Sequence, residues 1–277
     1  MSDLHLTTRF APSPNGPLHL GHAYSAIVSH DLAHEAGGRF LLRIEDIDGP
    51  RSKPELADEF RRDLEWLGLE WDEVEKQSDR LDVYSYAAEL LEDRGLLYRC
   101  SCTRRQIESL PPRIGKDGLK YPGSSRGLYS GRKGSDGVAL RLDVDRAMKE
   151  VGTLTWDDEL AGKQVADPRP FGDVVLVRKD LPSSYHLAVT VDDAEDGVTL
   201  VTRGMDLFDA THIHRVLQAL LGTSVPRWYH HKLVLDENGE KLAKRRGSPS
   251  LSARREAGEN GLMLAEQLRM QKFALGT

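Results

Sequence analysis

Cysteine is almost missing. The 277 residues contain two, Cys100 and Cys102, separated by one residue. Such close neighbours rarely bridge, and a secreted scaffold of this size would carry more, so a disulfide framework is excluded and a reducing compartment, the cytoplasm, is expected. Long apolar runs are also missing. No stretch approaches the ~20 residues a membrane helix needs. No leader peptide is expected, because MSDLHLTTRF has neither a basic start nor an apolar stretch. The usual phosphate-binding fingerprints are absent too. No two glycines are separated by a single residue, which removes GxGxxG, and no GxxxxGK[ST] occurs. A dinucleotide enzyme of the common type and a P-loop ATPase are thereby disfavoured.

Excess positive charge is lacking as well. The net charge is −6, which argues against a surface that grips nucleic acid everywhere. It leaves room for a local patch. The segment KLAKRRGSPSLSARR, Lys241 to Arg255, has six basic residues and no acidic one. Such a run is either a solvated face or a phosphate contact, and charge alone does not choose. With 39% hydrophobic and 30% charged residues, the chain has the composition of a globular protein able to bury a core without a metal.

The patterning predicts strand HLTTRFAP, turn SPNGP, and a helix over LHLGHAYSAIVSHDLAHEAGG that stops at paired glycines. RFLLRIED reads as a buried strand. Lys53 to Leu67 reads as a helix with Phe60, Leu64 and Leu67 on one face, and Leu81 to Arg94 as another. Alternation of this kind predicts an α/β fold with a doubly wound, Rossmann-like parallel sheet. From LLYRCSCTRRQ to about Asp173 the chain is rich in Gly, Pro, Ser and Arg, has little helical periodicity, and reads as an inserted subdomain. DVVLVRKD, SYHLAVTVDD and VTLVTRG read as returning strands, and DLFDATHIHRVLQALLG as an amphipathic helix. The resulting division is 1–98 and 173–236 for two halves of a catalytic domain, 99–172 for the insertion, and 237–277 for a loop and short polar helices.

The most specific string is RFAPSPNGPLHLGH, Arg9 to His22. His19 and His22 are three apart, so at a helix start both rings face one side. Gly21 between them admits a flat group close to the backbone. Two imidazoles at a helix N-terminus make a cradle for a nucleotide phosphate. HxxH alone is more often a surface or core pair than a site; the fourteen-residue string is far more selective.

That string resembles the HIGH motif of class I aminoacyl-tRNA synthetases in its glutamyl version. Lys241-Leu242-Ala243-Lys244-Arg245, after HHKLVLDENGE, resembles the KMSKS loop of the same enzymes, with Leu-Ala in place of Met-Ser and both lysines kept. LLRIEDIDGPRS and SYHLAVTVDDAEDGVTLVTRGMDL resemble the glutamyl amino-acid pocket. The resemblance runs over roughly residues 5 to 250 and, at this length, is to the family of glutamyl-Q tRNA(Asp) synthetases; no counterpart is expected of the long helical anticodon-binding region of full glutamyl-tRNA synthetases. It implies that Arg9, Phe10, Ala11, Pro12, Ser13, Glu45, Tyr185 and Arg203 hold L-glutamate, and that His19, Gly21, His22 and Lys244 bind ATP. His19, His22, Lys241 and Lys244 would then act on the phosphates. The chemistry agrees, since a dicarboxylate needs planar charged forks and its ammonium a carboxylate. Taken singly, each pocket residue reads better as a surface ion pair or a core tyrosine.

The implied activity is ATP-dependent formation of glutamyl-adenylate without tRNA, then transfer of glutamate to queuosine at the wobble position of tRNA(Asp). A monomer is expected to take the anticodon stem-loop into its cleft. Magnesium follows from the triphosphate rather than from a motif. Arg245, Arg246, Arg254 and Arg255 are candidates for the RNA backbone because they adjoin the loop. A zinc set of this family would be C-x-C, a tyrosine and a later cysteine. Cys100, Cys102 and Tyr121 match, but Ser125 takes the fourth place, so zinc is not expected. Three alternatives remain open: a glutamyl-tRNA synthetase charging tRNA(Glu), an inactive RNA-binding paralogue, and another adenylyltransferase with HxGH.

Overall fold

The computed structural model describes residues 5–108, 137–235 and 249–270, together with 114, 115, 118, 119, 121, 123, 125, 126, 275 and 276. Strand β1 (Thr7–Phe10) is buried along its whole length, helix α1 (Leu20–Glu35) carries the chain back, and β2 (Arg39–Leu42) lies parallel to β1 with Thr7 opposite Arg39. The return needs glycine: a Cβ on Gly38 would lie 1.9 Å from the Leu6 carbonyl oxygen. Helix α2 (Pro54–Trp66) then leads to the short β3 (Asp72–Glu73), parallel to β2. Phe60 and Leu64 of α2 are buried on the face that the spacing predicts.

Helix α3 (Leu81–Asp93) and β4 (Leu97–Cys100) follow. The next segment holds α4 (Arg104–Glu108), β5 (Ile114–Gly115), β6 (Gly118–Leu119), β7 (Ala139–Leu142), α5 (Val144–Val151), and the hairpin β8 (Thr155–Asp158) and β9 (Gly162–Val165). After β10 (Val175–Val177) come α6 (Tyr185–Glu195), β11 (Leu200–Gly204), α7 (Ala210–Leu221) and β12 (Arg227–His231). The chain continues through β13 (Leu233–Val234), α8 (Leu251–Glu256), α9 (Gly261–Arg269) and β14 (Leu275–Gly276).

Strands β11 and β12 are parallel, with Arg203 opposite His230, and the last residue of β8 joins them opposite Trp228. The β11 and β1 edges meet where Thr199 N–H donates to Thr7 O and Thr7 N–H donates to Thr199 Oγ1. Two sheets, β3-β2-β1 and β11-β12-β8-β9, thus meet edge to edge at β1 and β11, and their strands are parallel apart from β9. Strands β10, β7 and β4 form a separate antiparallel sheet. Among the described residues no helix is long and apolar enough to cross a membrane.

Three elements differ from the sequence reading. SYHLAVTVDD is not a strand but α6. Leu187 to Asp193 are buried without a break, because α6 packs among α3, α7 and β10. An unbroken apolar run carries no period, so strand and buried helix look alike in sequence. Residues 144–151 form a helix inside the segment read as lacking helical periodicity. The last helix, α9, is more than polar covering: Leu264, Ala265 and Leu268 enter the same core as Ala23, Ala26 and Ile27 of α1.

Candidate active site

The N-terminus of α1 is built by its own histidines. His19 is the N-cap, and its Nδ1 accepts the Gly21 N–H at 3.1 Å; His22 Nδ1 accepts the His19 N–H at 3.1 Å. This is a capping box made by two imidazoles. The rings lie 3.9 Å apart, centroid to centroid. A neutral ring that accepts through Nδ1 carries its proton on Nε2, so each ring is a donor at its far edge. The first turn of α1 has no acidic side chain to offset its positive end. Gly21 has a local role as well: a Cβ there would meet the His19 ring at 3.1 Å.

The second half of the site lies between the C-terminal ends of β1 and β11. Arg9 on β1 forks onto Asp193, Nε to Oδ1 at 2.9 Å and Nη2 to Oδ2 at 3.4 Å, while Nη1 donates to Thr202 O at 3.0 Å. Arg43, fully buried, donates to Asp193 at 2.8 Å, Asp196 at 2.8 Å and Glu45 at 3.2 Å, and lies 3.6 Å from Asp192. Arg80 closes the cluster on Asp192 at 3.3 Å and Asp196 at 2.6 Å. Three guanidiniums thus face four carboxylates, Glu45, Asp192, Asp193 and Asp196, which leaves one negative charge in excess. It is felt at Glu45, where burial pushes the carboxyl up to about 7 although Arg43 and Arg9 pull it down. Asp193 is also raised by burial, but Arg9 and Arg43 prevail and keep it below the usual carboxylate range.

Arg203 has the opposite imbalance. It is 5% exposed, and its partners are all neutral: His230 Nε2 at 3.0 Å, Tyr185 Oη at 3.2 Å, His214 Nδ1 at 3.3 Å and Thr211 Oγ1 at 2.6 Å. No carboxylate among the described residues pairs with it. Because His214 accepts from Arg203 at Nδ1, its Nε2–H donates to His186 Nδ1 at 3.1 Å. Burial and the adjacent Arg203 charge hold His214 well below the usual imidazole range and His186 at about 4.

These parts open into one cavity of about 470 Å³. Its walls include Arg9, Phe10, Ala11, Pro12, Ser13, His19, Gly21, His22, Glu45, Tyr185 and Arg203, every pocket and HxGH residue singled out from the sequence. Lys241, Lys244, Arg245 and Arg246 lie outside the described residues. Arg254 and Arg255 do not line the cavity. Arg254 pairs with Glu259 at 2.9 Å and Arg255 with the buried Asp63 at 3.2 Å, so both help pin α8.

The supporting groups escaped the sequence reading. Arg43 stands two residues before Glu45 in LLRIED, just past the end of β2, and the acidic DDAED follows an apolar run. Their partnership is visible only when folding brings α6 against the segment that follows β2. The histidine partners of Arg203, His214 and His230, sit in segments read as an ordinary helix and an approach to a loop.

The cysteine pair does meet Tyr121 and Ser125. Cys102 Sγ is 3.6 Å from Tyr121 Oη and 3.5 Å from Ser125 Oγ, and Ser125 Oγ is 3.7 Å from Cys100 Sγ. Tyr121 Oη donates to Ser125 Oγ at 2.7 Å and accepts the Ser125 N–H at 2.9 Å. A proton therefore sits between two of the four donors where a metal would have to be, and a neutral hydroxyl is a poor zinc ligand. The residues do not fit a structural zinc site. Burial alone would raise the Cys100 thiol, but the polar neighbours Tyr121 and Arg141 bring it down to about 7. Protein purified without chelator is expected to carry well under one zinc per chain by elemental analysis, and Ser125→Cys to acquire one. Stoichiometric zinc in the natural chain would refute this.

The chain is 50% identical over 266 residues to the glutamyl-Q tRNA(Asp) synthetase of Rhodobacter capsulatus, covering 91% of this chain and 96% of that protein. It is 38% identical to glutamate–tRNA ligase 1 of Paracoccus denitrificans, over 91% of this chain and 58% of that one. A glutamate tRNA ligase from Elizabethkingia meningosepticum, solved in complex with its amino acid, superimposes with a TM-score of 0.79 at 26% identity. The match covers 96% of this chain, which spans 60% of the length of that structure. The family described as tRNA synthetases class I (E and Q), catalytic domain, matches residues 5–274, and the chain belongs to it.

Proposed function

We propose that the protein activates L-glutamate with ATP, without tRNA, and transfers the glutamyl group to queuosine at the wobble position of tRNA(Asp). The observation that carries this is the charge layout of the cavity. One end holds a surplus buried carboxylate at Glu45, suited to an ammonium. Beside it is an arginine with only neutral partners, Arg203, suited to a side-chain carboxylate. The other end is a helix N-terminus with two imidazole donors, suited to phosphate. A zwitterion with a second carboxylate and a nucleotide triphosphate complete all three.

In the first step an oxygen of the glutamate α-carboxylate attacks the α-phosphorus of ATP; the new C–O–P bond forms as pyrophosphate leaves. No protein nucleophile is needed, so positioning and charge stabilisation do the work. Nε2–H of His19 and His22 would donate to phosphate oxygens as charge grows there. Lys241 and Lys244 would close over the β- and γ-phosphates, and magnesium bound to the triphosphate would neutralise part of its charge. In the second step a hydroxyl of the queuosine ring attacks the acyl carbon and AMP leaves. The R. capsulatus relative, matched over nearly its full length, supports this acceptor. The same reading places the protein in the cytoplasm as a monomer, with 1–98 and 173–236 as catalytic halves, 99–172 as insertion and 237–277 carrying the lysine loop.

The test is glutamylation of purified tRNA(Asp) bearing queuosine or guanosine at the wobble position, alongside ATP–pyrophosphate exchange without tRNA. Exchange and glutamylation only of the queuosine form are expected. Labelled glutamate on a 3′-terminal adenosine would transfer the assignment to a charging enzyme.

Glutamate binding should also depend on pH. Glu45 must be ionised to hold the ammonium, and in the free enzyme it titrates near 7. Below that pH, kcat/KM for glutamate is expected to fall about tenfold per unit, and Glu45→Gln to abolish the dependence along with most of the activity. A raised folded-state pKa stabilises the protein at low pH, and this contribution is lost as pH rises through 7. Added glutamate should therefore raise Tm more at pH 8 than at pH 6.

A further inference from the structure

Arg203 relies on an acceptor that belongs to the neighbouring strand. Its Nε donates to His230 Nε2 at 3.0 Å, across the register that places the two residues opposite each other. Imidazole accepts at one nitrogen only when the proton is on the other, so this bond requires the Nδ1–H tautomer. Asp158, at the end of β8, makes that choice. Its Oδ2 lies 2.6 Å from His230 Nδ1 and accepts the His230 backbone N–H at 3.2 Å. Its Oδ1 accepts the N–H groups of Leu160 at 3.0 Å and Ala161 at 2.8 Å. Four donors hold the carboxylate still, and neither Asp158 nor His230 exposes any of its side chain. Phe208 sits 4.9 Å from the imidazole, ring to ring, and fixes its plane. Neither Asp158 nor His230 lines the cavity.

We infer that Asp158 is a positioning residue: it sets the His230 tautomer and, through it, the guanidinium edge that Arg203 presents to an anionic substrate side chain. The inference rests on Arg203 being the group that holds the substrate's second carboxylate. With the other tautomer, Nε2–H would face the Arg203 Nε–H, and two donors at that distance would force the guanidinium to turn.

Asp158→Asn tests this. The amide oxygen keeps the two turn bonds, and the amide nitrogen, which cannot accept the His230 backbone N–H, turns a donor toward His230 Nδ1. KM for glutamate in ATP–pyrophosphate exchange is expected to rise about 10- to 100-fold, with kcat and KM for ATP within about two-fold. The ¹⁵N shifts of His230 should switch from Nδ1–H to Nε2–H. In a His230→Gln background, where an amide oxygen replaces Nε2 and needs no tautomer, adding Asp158→Asn should change KM for glutamate no further. Equal losses for glutamate and ATP would overturn the inference. So would an unchanged tautomer with a raised KM, or the same penalty for Asp158→Asn in both backgrounds. A natural enzyme inert with glutamate would instead refute the proposed reaction, and the ¹⁵N shifts, recorded without substrate, would still decide the relay.

Discussion

Arg203→Gln is expected to lower kcat/KM for glutamate by roughly 10²–10³, corresponding to about 3–4 kcal/mol for truncating one partner of a buried charge pair. The affected pair forms only when substrate arrives, because in the free protein Arg203 has no carboxylate partner among the described residues. A buried guanidinium without an anion destabilises the empty protein, so the neutral side chain should leave Tm unchanged or raise it. Loss of glutamate activation without loss of stability is therefore the signature, read from exchange kinetics and thermal melts on one preparation. A matching fall in Tm would make Arg203 a structural residue.

His19→Asn should cut pyrophosphate exchange by about 10²–10³, the cost typical of losing one preorganised donor to developing charge. The choice of asparagine separates two jobs that one ring performs. His19 caps α1 through Nδ1, and in the proposed reaction its Nε2–H donates to phosphate. Asparagine is among the best N-caps, so helix stability should be kept, whereas His19→Ala should lose about 1 kcal/mol in addition. KM for glutamate should stay near its natural value in His19→Asn, since the proposed amino-acid pocket is built by β1, the segments that follow β1 and β2, α6 and β11. An active, stable His19→Asn enzyme would leave the ring with capping alone.

The parallel sheet was legible because the strand-helix alternation near the N-terminus is clean: Phe60 and Leu64 are buried where the spacing puts them, and α1 ends at the paired glycines. The HxGH string was legible because its chemistry is local, with cap, rings and glycine inside one helical turn. The lysine loop and half of the basic run fall outside the described residues, and of the other half Arg254 and Arg255 are engaged by Glu259 and Asp63. The strand reading of SYHLAVTVDD failed because complete burial erases periodicity.

The sequence by itself determined part of the cavity wall, the residues of short contiguous strings with a chemical logic of their own, but not others such as Asn15, Ser25, Thr202, Asp206 and His231. Only the tertiary structure decided their charge states and orientations. Glu45 titrates near neutrality because folding removes water from it and, against the pull of Arg43 and Arg9, sets Asp192 and Asp193 of α6 beside it. Arg203 is left without a carboxylate partner among the described residues because folding surrounds it with histidines, a tyrosine and a threonine. Such balances depend on partners distant in sequence and on desolvation, and neither is encoded in any local pattern.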